Sequence, residues 1–224
     1  MWLRGLGYTG ISLDRFVSAA GDQERKRELP RRSLIITFDD GYRDNHDYAW
    51  PILEEFGFSA TIFLVSGAIG SDNEFDRGFT PERVSMLSAE QIQAMHRRGV
   101  GFGSHTRTHP HNLADLTTEA AADEIGRSRQ DIEAIVQSPV YHFSYPYART
   151  AAHLEEQVRI AGYRSACVGV GTRFTQFGLS RISTTQRGGL LLNAAIGVRR
   201  AKHLARSAAP TRLTPFPTPR DLIS

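Results

Sequence analysis

The chain has 224 residues, 40% hydrophobic and 23% charged, which suits one soluble domain with a sizeable core. Its single cysteine, Cys167, excludes an intrachain disulfide and any cysteine-based metal cluster, and apolar neighbours on both sides assign it to packing. The net charge of +3 sits at one end: from Arg187 onward seven Lys and Arg accompany one acid, so the rest of the chain is at −3 and lacks the basic character of a nucleic-acid-binding body.

Met1 to Gly7 is too short and glycine-broken for a signal peptide, and no segment has the length of a membrane-spanning helix. The expectation is a cytoplasmic protein by default, or an exported one if the sequence is truncated. Ser12 is placed to cap a short helix, and Gly21 to Arg32 is a polar connection. Leu34 to Phe38 then reads as a buried strand running into Asp39-Asp40-Gly41. After Asp44-Asn45 a helix is predicted with Ala49, Ile52, Leu53 and Phe56 inward, its start moved or kinked by Pro51 and its end at Gly57.

Ala60 to Val65 is the next strand, and Gly67 to Ser85 is long enough to be a rim or a lid. Leu87-Ser88-Ala89-Glu90-Gln91-Ile92 carries a capping box and a staple at a helix start, and Gly99 stops that helix. Val100 to Ser104 is a strand running into His105-Thr106-Arg107-Thr108-His109. A helix over 118–137 follows, then a strand over 140–144 running into Tyr145-Pro146-Tyr147-Ala148. A further helix after Thr150 stops at Gly162, and Ser165 to Val168 is a strand. Alternating strands and helices imply an α/β fold with a parallel sheet, either barrel or open. Beyond Ser183 the pattern weakens into one amphipathic stretch over 190–204 and a disordered end rich in proline.

Asp-Asp-Gly alone is as good a solvated turn as a site. Two histidines four apart at a second strand end change the balance, because Asp40, His105 and His109 together make a facial triad of oxygen and imidazole donors. Such a set suits Zn(II), with Co(II) or Ni(II) as alternatives. His111, two residues beyond His109, is a candidate substrate contact, and a turn after His105 would bring both imidazoles to one point.

Thr37-Phe38-Asp39-Asp40-Gly41, Ser104-His105-Thr106-Arg107-Thr108-His109-Pro110 and Phe143-Ser144-Tyr145-Pro146-Tyr147 resemble three ordered motifs of the polysaccharide deacetylase family, the NodB-homology domain of carbohydrate esterase family 4. The resemblance spans about Leu34 to Arg181. It implies a distorted, incomplete (β/α) barrel and a metal-dependent hydrolase that removes N-acetyl groups from an amino-sugar glycan. Carried over residue by residue, Asp40, His105 and His109 hold the metal and Asp39 is the catalytic base. Tyr147 contributes a backbone N–H to an oxyanion hole beside Pro146, with substrate contacts at Pro146, Tyr147 and His111. The implied organisation is an N-terminal helix and connection at 1–32, the NodB-like domain at 33–186 and a basic tail at 187–224. An acetylated glycan is the implied partner, with neither nucleic acid nor a membrane-spanning segment.

Two departures from the family pattern stand out. Ser144 occupies the place where many members carry an arginine that pairs with the catalytic aspartate, as in a subgroup reading Phe-Ala/Ser-Tyr-Pro-Tyr. The late Leu-x-His motif, whose histidine is the general acid, has no match; Leu191-Leu192-Asn193 ends in an amide that cannot serve as a proton donor of that kind. His142, His153 and His203 are left as candidates by elimination. Alternatives to the glycan deacetylase are an amidohydrolase acting on a small non-glycan amide and a glycan-binding domain impaired in catalysis. A glycosidase is disfavoured, because its two carboxyls need to flank the scissile bond.

Overall fold

Side chains alternate across a strand, and here that alternation separates a packing face from a working face. The computed structural model describes residues 2–171 and 174–182. The helix α1 (Trp2–Gly5) precedes β1 (Thr9–Gly10), and α2 (Leu13–Ala20) and α3 (Gln23–Arg27) follow it and lead to β2 (Ser33–Leu34) and β3 (Thr37–Phe38). Then come α4 (Trp50–Glu55), β4 (Thr61–Leu64), α5 (Ala89–Arg97), β5 (Gly101–Ser104), α6 (Thr118–Val136), β6 (His142–Ser144), α7 (Ala152–Ile160) and β7 (Ser165–Val170). A hairpin, β8 (Phe174–Thr175) and β9 (Gly178–Arg181), ends the described chain.

Seven strands form one sheet in the order β3-β4-β5-β6-β7-β9-β8, parallel except for β8 against β9. Ile62, Leu64, Phe102, Phe143, Ala166 and Val168 face the helix layer, where they meet Ile92 and Met95 of α5, Ile125 and Ile132 of α6, and Leu154 and Val158 of α7. The alternate residues Phe63, Cys167 and Leu179 gather on the opposite face with Leu13. Arg181 of β9 reaches Thr37 Oγ1 of β3 at 3.2 Å, although four strands of the ladder lie on the path between them. Only a sheet curled on itself brings those strands together, so the architecture is a half-closed (β/α) barrel. Gly103 permits the curl at its centre: a Cβ there would come within 2.5 Å of the Phe63 ring and 2.8 Å of the His142 carbonyl.

Most predicted elements are present, with their signals intact. Ser12 accepts from Arg15 N to cap α2, and Ser88 and Gln91 make both bonds of the capping box on α5. Three differences have physical causes. The apolar run at 34–38 is two short strands, because the chain pairs with β1 through Ser33 and Leu34 and switches to β4 at Thr37; both pieces are half-buried. A π-helical turn at Asn45–Ala49 precedes α4 and shifts its phase, so Trp50 and Leu53 pack inward while Ile52 is 51% exposed. The polar connection also holds a helical turn, α3, because the Asp22 carboxylate caps the N–H groups of Glu24 and Arg25. The stretch at 190–204, the proline-rich end, the basic tail and His203 lie outside the described residues.

His142 begins β6 and is buried, with Nδ1 2.9 Å from Ser165 Oγ and Nε2 3.7 Å from the Asp14 carboxylate. Burial pushes the imidazole down from 6.5 to about 4; Asp14 opposes the shift and Arg164 adds to it. The unfolded chain therefore binds the extra proton over the window between those values, and stability should fall as pH drops through it. Denaturant midpoints measured from pH 7 to 4 should show a steeper loss for wild type than for His142→Gln. Parallel profiles would contradict this account.

Candidate active site

β3, β5 and β6 end on the same rim, and each hands its sequence to a turn that needs a left-handed residue. Among the described residues six non-glycines have positive φ, and five are here: Asp40 (72°), Thr106 (68°), His109 (60°), Tyr147 (52°) and Ala148 (59°). Each conformation costs about 1 kcal/mol or more, so the surroundings must hold it in place. The strand ends at Phe38 and Asp40 turns back, which is how two consecutive aspartates serve one site. Gly41 follows at φ +84°, where a Cβ would lie 2.6 Å from the Leu64 side chain.

The histidine turn is templated by α6. Glu124 accepts from the N–H groups of Arg107 (2.9 Å) and Thr108 (2.8 Å) and from Thr108 Oγ1 (2.7 Å). Thr106 Oγ1 accepts from His109 N at 3.1 Å, and Ser104 Oγ accepts from Thr106 N at 3.2 Å. Both imidazoles are buried in consequence.

Asp40, His105 and His109 offer three ligand atoms within 4.8 Å of one another. His105 Nδ1 lies 2.7 Å from the Ser144 carbonyl, which can only accept, so the proton is on Nδ1 and the Nε2 lone pair faces the cluster. Asp40 Oδ1 stands 3.4 Å from His105 Nε2 and 3.5 Å from His109 Nε2. These separations are longer than hydrogen bonds and of the size that ligands around one cation keep. Burial pushes the Asp40 carboxyl up to about 6 and the His109 imidazole down to about 3. Two imidazole nitrogens and a carboxylate oxygen, partly dehydrated and aimed at one point, are a donor set that fits a divalent metal.

Beside this cluster, Arg181 holds Asp39 in a two-pronged pair, Nη1 to Oδ1 at 2.8 Å and Nη2 to Oδ2 at 2.7 Å. The same guanidinium donates to Ser144 Oγ (3.0 Å) and to the Val168 carbonyl (3.0 Å). Burial alone would raise the Asp39 carboxyl; His105 and Arg181 together outweigh it and leave the carboxyl below its ordinary value. Sequence reasoning missed Arg181. At the motif position where an arginine was sought, Ser144 is a partner of an arginine delivered from β9. The available signal was the alternation in Gly178-Leu179-Ser180-Arg181, which places Arg181 on the same face as the buried Leu179.

Tyr147 stands over the cluster with its ring 4.9 Å from His109 and 4.9 Å from His111; Phe75 of the 67–85 segment covers His109 at 4.9 Å. Pro146 is buried beneath the turn, and His111 is exposed and hydrogen-bonded to Arg149. Thus the rim gathers Asp39, Asp40, His105, His109, His111 and Tyr147. His142 is engaged with Ser165 and Asp14, and His153 is exposed on α7. Among the described residues no hydrogen bond or ring contact joins either to the cluster.

A half-closed (β/α) barrel with a carboxylate–imidazole cluster at the C-terminal ends of its strands is the NodB-type architecture. Residues 26–166 match the polysaccharide deacetylase family, and the chain belongs to that family. The YxkH protein of Bacillus subtilis strain 168 is 29% identical over 171 residues, covering 76% of this chain and 54% of that protein. A poly-beta-1,6-N-acetyl-D-glucosamine N-deacetylase of Staphylococcus epidermidis is 26% identical over 154 residues, covering 65% and 50%. The chain thus spans about half the length of these curated relatives. Among solved structures, a de-N-acetylase from Aggregatibacter actinomycetemcomitans superposes with a TM-score of 0.70 at 17% identity, covering 86% of this chain and 85% of that one.

Proposed function

We propose that the chain is a metal-dependent deacetylase that hydrolyses N-acetyl groups on an amino-sugar polysaccharide or oligosaccharide. The observation that carries this reading is the Asp39–Arg181 pair set directly beside Asp40, His105 and His109. Asp40, His105 through Nε2, and His109 would hold the ion, with Zn(II) the best match to the donor set and Co(II) or Ni(II) able to replace it. A bound divalent ion supplies Lewis acidity at the acyl oxygen and makes water more acidic.

The chain's own residues do the rest. Asp39 takes the proton from the attacking water, and Arg181 keeps that carboxylate ionised and aimed. Tyr147 donates its main-chain N–H to the oxygen on which charge develops, in a turn held by Pro146. The rings of Tyr147 and Phe75 shield the histidine side from bulk water. An acetylated amino sugar as substrate is supported by the activity for which the staphylococcal relative is named, and the exposure of His111 beside Tyr147 supports assigning it a contact with that substrate.

Acetate release by the full chain from a panel of N-acetylated glycans, including a β-1,6-linked N-acetylglucosamine oligomer, tests the proposal with and without added Zn(II), Co(II) or Ni(II). The expected result is metal-stimulated release from at least one glycan. Release from small amides only, or from nothing in the panel at any metal loading, would overturn it.

A further inference from the structure

Phe79 is 67% exposed, yet the backbone that carries it is closely held. Asn73, fully buried, donates to the carbonyls of Thr80 (3.1 Å) and Glu82 (3.0 Å) and accepts from Val84 N (2.8 Å). The Asp76 carboxylate accepts from Tyr42 Oη at 2.8 Å and Thr80 Oγ1 at 3.0 Å, and its carbonyl accepts from Phe79 N at 2.9 Å. These polar bonds fix the backbone of the turn, and the ring at its tip stands largely in solvent. Its neighbour is Tyr147, at 5.6 Å between ring centres, and Tyr147 is 4.9 Å from His109. The two rings make an aromatic step rising from the metal-ligand cluster to the surface.

The polar edge of that step lies across Tyr147. Arg149 Nη1 donates to His111 Nδ1 (3.1 Å) and to the His111 carbonyl (3.2 Å), and its guanidinium lies 5.8 Å from the Tyr147 ring centre. A donated bond at Nδ1 puts the neutral imidazole's proton on Nε2, free to donate to a hydroxyl. An apolar ring face with hydrogen-bond donors beside it matches a pyranose, which has C–H faces and a hydroxylated edge.

We propose that Phe79 is a sugar-stacking surface that sets the preference of this site for a glycan chain: a pyranose adjoining the acetylated residue lies on Phe79. This rests on the deacetylase reading above and goes beyond it, because a small amide confined to the cluster would not reach Phe79.

The test compares metal-loaded wild type, Phe79→Ala and Phe79→Trp on the N-acetylated oligosaccharide that wild type hydrolyses and on 4-nitrophenyl acetate, which has no sugar. Phe79→Ala should raise the oligosaccharide KM about tenfold, with kcat and ester hydrolysis within about twofold of wild type. Phe79→Trp should keep the wild-type KM and change its indole emission on titration with the oligosaccharide. An unchanged KM in Phe79→Ala, or an equal loss on ester and oligosaccharide, would overturn the stacking role while leaving the deacetylase reading intact. A wild type that neither hydrolyses nor calorimetrically binds any oligosaccharide would overturn both.

Discussion

Asp39→Asn is expected to lower acetate release by about 10²–10⁴-fold while the cluster keeps its metal, since an amide cannot accept a proton from water as a carboxylate does. The variant preserves shape but also leaves Arg181, whose side chain is 20% exposed, without its ionic partner. Separating the two effects requires the other half of the pair. Arg181→Met should lower kcat by about 10²-fold with KM little changed, because the carboxylate loses both its counter-charge and its fixed orientation. Arg181→Lys should fall between, having the charge without the fork. Metal analysis and acetate release on the same preparations check all three. Activity near wild type in Arg181→Met would show that the pair is structural, and activity near wild type in Asp39→Asn would move the base elsewhere.

What the sequence disclosed follows from the range over which each signal acts. Caps such as Ser12, Ser88 and Gln91 are local hydrogen-bonding patterns, and they form as read. The motif strands were legible because short apolar runs collide with chemistry-bearing residues at their ends. The break in 34–38 was not legible, because periodicity reports which face is apolar and says nothing of which strand pairs with which. Ile52 was misplaced by a single π-helical turn, which changes the phase of every residue after it. Arg181 is the most instructive omission. Its meeting with Asp39 joins residues 142 positions apart, and only closure of the sheet toward β3 creates it. Composition, spacing and motif order are all silent about a contact of that kind.

Removing either imidazole of the cluster is expected to lower metal affinity by more than the roughly 10–100-fold typical of losing an outer hydrogen-bond partner. The structure gives the reason in its supports. His105 is oriented by the Ser144 carbonyl at 2.7 Å, and the turn leading to His109 is pinned by three bonds to Glu124. A side chain held this firmly arrives at the ligand position with little entropy left to lose, so most of its interaction with a cation is realised as affinity. Binding to the folded chain alone also stabilises it, by about 4 kcal/mol when free metal is a thousandfold above Kd. Wild type should therefore show a clear rise in Tm on adding Zn(II), and His105→Ala and His109→Ala should lose most of it while remaining folded without metal. Calorimetric titration and thermal melts with and without Zn(II) measure both quantities independently of turnover. Stoichiometric metal in both variants, with the full thermal shift, would mean that Asp40, His105 and His109 are not the ligands.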